Sequence, residues 1–133
     1  MTIAITDWAS SASTFDSIST DPAIVLLHGY GSNERDLPGL VTWMGLSLDW
    51  ASLRAPVNLG NGGFAWFPVT SPLNPSAEDV AAPTEAMWSW IDQHFGPNRP
   101  IIAIGFSQGA LMASQLLRTR PERICKVAFL AGF

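Results

Sequence analysis

A short apolar run, Ile101-Ile102-Ala103-Ile104, passes directly into Gly105-Phe106-Ser107-Gln108-Gly109, and a helix-forming stretch from Gln108 to Arg120 follows. This feature constrains the fold more than any other in the chain. A strand that meets a helix across so few residues must turn sharply, and the residue at the corner takes a strained backbone conformation. The positions two before and two after it must lack side-chain bulk, which accounts for Gly105 and Gly109. The corner lifts the Ser107 hydroxyl clear of the sheet. It also sets that hydroxyl at a helix N-terminus, where free N–H groups favour developing negative charge. Ser107 is therefore the candidate nucleophile, and the Gln108 N–H a candidate donor to an oxyanion.

The remaining segments fit around this corner. Ala23-Ile24-Val25-Leu26-Leu27 is a continuous apolar run with β-branched members, as expected of a strand covered on both faces. Ile3-Ala4-Ile5, Trp50 to Pro56 and Lys126 to Ala131 read as further strands, and Ser10 to Thr20 as loop. Ser32 or Asn33 can cap a helix from Glu34 to Leu46, although Pro38 and Gly39 weaken it. Residues 57–77, rich in Gly, Pro and Asn, read as one long loop. Val80, Thr84, Met87, Trp88, Ile91 and Phe95 recur at helical spacing. That helix starts either at a capping box of Ser76 with Asp79 or with Pro83 as its first residue, and Gly96-Pro97 ends it. Alternating strands and helices predict a single α/β domain over residues 1–133, with a mostly parallel sheet and helices on both faces.

A second oxyanion donor is expected from the loop after an earlier strand. His28-Gly29-Tyr30-Gly31 occupies that place. Gly29 and Gly31 let the backbone come close to a reacting carbonyl, so the Tyr30 N–H is the second candidate donor. His28 reads as a hydrogen-bonded structural residue and His94 as a surface or last-turn residue. A nucleotide-binding reading of Gly29-x-Gly31 fails, because position 34 is glutamate and no phosphate-loop lysine is present.

Composition narrows the partners. The chain has 7 basic and 11 acidic residues, a net charge of −4, and no basic cluster, which argues against a nucleic-acid surface. No metal cluster or cofactor motif stands out. No apolar run approaches the ~20 residues of a membrane span. The single cysteine, Cys125, excludes an internal disulfide and reads as a small buried apolar residue. The first basic residue is Arg35, so the N-terminus lacks the pattern of a signal peptide; a cytoplasmic location is expected.

Three segments together resemble the phospholipase/carboxylesterase family of α/β-hydrolases. They are Leu26-Leu27-His28-Gly29-Tyr30-Gly31-Ser32-Asn33-Glu34, then Leu53-Arg54-Ala55-Pro56 with Ala65-Trp66-Phe67-Pro68, and Ile104 to Ala110. Phe129 to Phe133 resembles the strand after the corner helix. The resemblance implies an α/β-hydrolase-type sheet and cofactor-free cleavage of small carboxylic esters, thioesters or lysophospholipids. It also implies that the loop holding Trp66 and Phe67 flanks an acyl pocket; simple loop packing of the pair is the other reading.

One departure stands out. A triad in this fold runs Ser, then Asp or Glu, then His. After Ser107 there is no histidine, and Glu122 is the only acid. The expectation is a chain that lacks the C-terminal strands and helices of its family, with an open sheet edge that favours self-association. A non-catalytic protein that keeps the fold is the second reading.

Overall fold

The computed structural model describes residues 3–68 and 75–131. Residues 69–74 of the expected loop, together with Gly132 and Phe133, lie outside them. A five-stranded sheet has the order β1 (Trp8–Ser10), β3 (Trp50–Leu53), β2 (Ala23–Leu27), β6 (Ile101–Phe106), β7 (Ile124–Leu130). β3, β2, β6 and β7 run parallel, and β1 pairs antiparallel with β3. This is the mixed, mostly parallel sheet expected from the alternating pattern.

Period-two geometry sorts the side chains of β2. Ile24 and Leu26 join Leu37, Val41 and Ile104 in a small core under α1 (Pro38–Trp43). Ala23, Val25 and Leu27 face the larger core, which collects Met87, Ile91, Met112 and Leu116 from α2 (Ala77–His94) and α3 (Gln108–Thr119). Helices therefore cover both faces, as expected, but unequally.

Several local expectations are corrected. The N-terminal strand lies at Trp8–Ser10 rather than Ile3–Ile5, because β3 supplies its pairing partners there. α1 begins at Pro38, not Glu34. Proline fits the first helical turn, where no N–H is needed, and Glu34 instead turns inward to meet Arg54. The stretch expected to be one loop contains a hairpin, β4 (Val57–Gly60) with β5 (Gly63–Ala65). Asn61 and Gly62 at its tip have φ of 53° and 78°, the left-handed values that an Asn-Gly hairpin turn requires. The Ser76 capping box is present with both hydrogen bonds, which leaves Pro83 inside α2. Cys125 is exposed, not buried.

Candidate active site

Ser107 has φ 56° and ψ −114°, outside the regions favoured by a side chain, and stands at the N-cap of α3. The residue is half-buried. Its own N–H is held by the carbonyl of Leu130 at 2.9 Å, which ties the corner to the end of β7. The two flanking glycines are demanded by packing. A Cβ on Gly105 would lie 2.2 Å from the Gly109 carbonyl oxygen, and one on Gly109 would lie 2.0 Å from that of Leu27.

The loop after β2 runs beside this corner. A Cβ on Gly29 would come 3.4 Å from the Ser107 Cβ and 3.3 Å from the Phe106 carbonyl oxygen. Gly31 takes φ 81° and turns the loop back. Among the described residues, neither the Tyr30 N–H nor the Gln108 N–H donates to a protein acceptor. Tyr30 is 49% exposed and Phe106 40% exposed, so two aromatic rings stand open at the corner. Phe106 was missed in the sequence. The only signal was its place inside the Gly105-x-Ser107-x-Gly109 pattern, where any residue type is compatible with the turn.

His28 is fully buried, and both of its ring nitrogens are occupied. Nδ1 lies 2.8 Å from the Gly29 carbonyl oxygen, and Nε2 accepts from the Ala55 N–H at 3.0 Å. Accepting at Nε2 requires the neutral ring with its proton on Nδ1. Burial lowers the pKa below the usual histidine value, more than the nearby Gly29 carbonyl and the Glu34 and Asp36 carboxylates raise it. A histidine held this way is structural, as the sequence suggested. His94 sits in the last turn of α2, with its ring stacked on Trp90 at 4.2 Å. Glu122 lies beyond the far end of the twelve-residue α3, so about 18 Å of helix separates it from Ser107.

Trp66 and Phe67 are buried, at 1% and 6% exposure, and belong to the main core. Packing occupies the rings, and hydrogen bonds occupy the backbone. The Trp66 indole N–H donates to the His28 carbonyl at 2.8 Å. Next to them, Arg54 grips Glu34 with two hydrogen bonds of 2.9 and 2.6 Å, and the guanidinium holds the Glu34 carboxyl below its usual pKa. A cavity of about 610 Å³ between residues 3–8 and α2 does not include Ser107. Among the described residues, no group of His, Cys, Asp and Glu side chains could hold a metal ion. No described helix is long and apolar enough to cross a membrane.

Comparisons with known proteins agree with this fold. A carboxylesterase from Bacillus cereus superposes with a TM-score of 0.75 at 26% identity, over 94% of this chain and 59% of that one. A carboxylesterase from Mesorhizobium loti gives a TM-score of 0.73 at 23% identity, over 84% and 55%. YahD, solved with malic acid, gives 0.74 at 21% identity, over 95% and 63%. The chain therefore spans 55%, 59% and 63% of the lengths of the Mesorhizobium, Bacillus and YahD chains. No curated protein sequence matches it. The sequence profile of the phospholipase/carboxylesterase family matches residues 16–133, so the chain belongs to that family of α/β-hydrolases.

Proposed function

We propose that this chain carries the nucleophile and the oxyanion hole of a serine esterase that acts on small carboxylic esters, with thioesters and lysophospholipids as related substrates. In this reading the Ser107 Oγ attacks the ester carbonyl carbon. The carbonyl π electrons move to oxygen, and the Tyr30 and Gln108 N–H groups receive the oxyanion. The Ser107 hydroxyl proton passes, by way of a general base not found among the described residues, to the leaving oxygen; collapse then expels the alcohol and leaves an acyl-serine, which water hydrolyses to the acid and free Ser107. The exposed rings of Tyr30 and Phe106 offer apolar surface to the acyl chain. No cofactor takes part in such a reaction. The cytoplasm is its proposed setting, and the unpaired side of β7 is proposed to favour self-association.

The observation that carries this reading is Ser107 itself: a half-buried serine with φ 56° at a helix N-terminus, with the Gly29 backbone against it. A fluorophosphonate probe tests it, because the probe phosphonylates only an activated serine. Labelling of Ser107, located by mass spectrometry and lost in Ser107→Ala, is the expected result. A second reading, a non-catalytic relative that keeps the fold, is favoured by the histidines. His28 has both nitrogens engaged, and the His94 ring is stacked on Trp90. Complete failure of the folded chain to label would support it.

A further inference from the structure

The Gln108 side chain has a role separate from that of its own N–H. It is 3% exposed and uses both ends of its carboxamide on one dipeptide. Oε1 accepts from the Trp66 N–H at 2.8 Å, and Nε2 donates to the Phe67 carbonyl at 3.0 Å. The amide thus acts as a backbone partner would across a pair of strands. The same segment grips the other loop. The Phe64 N–H donates to the Ser32 carbonyl at 2.8 Å, and the Gly31 N–H donates to the Phe64 carbonyl at 2.9 Å. The Trp66 indole reaches the His28 carbonyl at 2.8 Å. Residues 64–67 therefore form a strap bonded to the loop carrying Tyr30 and to the corner carrying Gln108.

We propose that the Gln108 carboxamide is a positioning residue: by clamping the strap at Trp66 and Phe67, it sets the spacing of the Tyr30 and Gln108 N–H groups across the oxyanion hole. This rests on the oxyanion-hole reading above for its catalytic consequence, though not for the clamp itself. The requirement for glutamine follows from donor and acceptor count. An ionised glutamate of the same length accepts from Trp66 but cannot donate to Phe67. Methionine fills the space and does neither. In both cases a buried backbone group loses its partner, which disfavours the strapped arrangement.

The test uses the full chain as wild type, Gln108→Met and Gln108→Glu, with two readouts. The first is the phosphonylation rate of Ser107. The second is amide hydrogen exchange at Trp66, Phe64 and Gly31, whose N–H groups are hydrogen-bonded across the strap. Gln108→Met should label about 10- to 100-fold more slowly, since a misplaced donor loses much of the roughly 100-fold or greater effect of one oxyanion contact. Protection at Trp66 and in the Tyr30 loop should fall together by about tenfold or more while other core amides keep theirs. Gln108→Glu supplies a signature that loss of packing does not. Burial raises its carboxyl pKa, and the protonated acid both donates and accepts. Labelling and protection should recover as the pH falls from about 8.5 to 6.5, before His28 takes up a proton. This variant also decides the matter should Gln108→Met fail to fold. If the wild type does not label, the serine-esterase reading fails and exchange alone judges the clamp. Unchanged exchange at Gly31 and Phe64 in Gln108→Met, or no recovery of Gln108→Glu with pH, overturns the positioning role.

Discussion

β2 and β7 are both short apolar strands in the same parallel sheet, yet they live in different surroundings. All five residues of β2 are buried, with strands on both sides and helices on both faces. None of the seven residues of β7 is fully buried, and Phe129 is 48% exposed. Among the described residues β7 pairs with β6 alone. Hydrophobicity of the run does not separate the two strands; neighbours do. The Ser107 corner draws on both. Gly109 packs against the end of β2, while Leu130 at the end of β7 holds the Ser107 N–H. Among the described residues the corner thus lies between an enclosed strand and a partly covered one.

The sharpest way to test this contrast is at the close contact between the corner and β2. Gly109→Ala would force a Cβ to within 2.0 Å of the Leu27 carbonyl oxygen. No rotamer relieves a clash with backbone, so the chain is expected to lose more than about 4 kcal/mol and show no cooperative melting transition. A normal melt would mean that the corner gives way more easily than the geometry implies.

A paired substitution compares the strands directly. Leu26→Ala should cost about 2–5 kcal/mol in urea unfolding, as for a fully enclosed leucine. Phe129→Ser should change stability by less than about 0.5 kcal/mol. It should also weaken any self-association seen by sedimentation velocity, since it removes exposed apolar surface beside the unpaired edge. Equal costs at the two positions would erase the distinction between centre and edge.

The smallest expected effect comes from pH. His28 follows directly on β2 and is enclosed as completely. Its folded pKa lies below 6.5, chiefly because burial disfavours the charged ring. The unfolded chain therefore binds the extra proton first as pH falls. The contribution of His28 is complete above about pH 6.5 and is lost below it, by at most about 1.4 kcal/mol per pH unit. A difference curve between wild type and His28→Asn, measured from pH 8 to 5, should isolate this slope. A flat difference would show that the ring is not held neutral. Glu34, whose carboxyl is held low by Arg54, contributes in the opposite part of the range, since its stabilisation is lost only as pH drops below about 4.5.

How far the sequence could be read varies from residue to residue for physical reasons. The Ser107 corner was legible because strand, turn and helix signals fall within a few consecutive positions. The Ser76 capping box was legible for the same reason. The β4–β5 hairpin also had its signal, Asn61-Gly62, hidden in a stretch whose glycine and proline content suggested irregular loop. The second role of Gln108 had none. Its partners lie 42 and 41 residues earlier in the chain, and nothing about a glutamine after a serine announces them.

The order of the main elements, the α/β class and the position of the corner serine were set by local chemistry: side-chain period, turn residues and caps. Only the folded structure turned Trp66 and Phe67 inward, locked both nitrogens of His28, and left β7 less covered than β2. Burial and hydrogen-bond partnership depend on what arrives from distant parts of the chain, and no window of neighbouring residues contains that information.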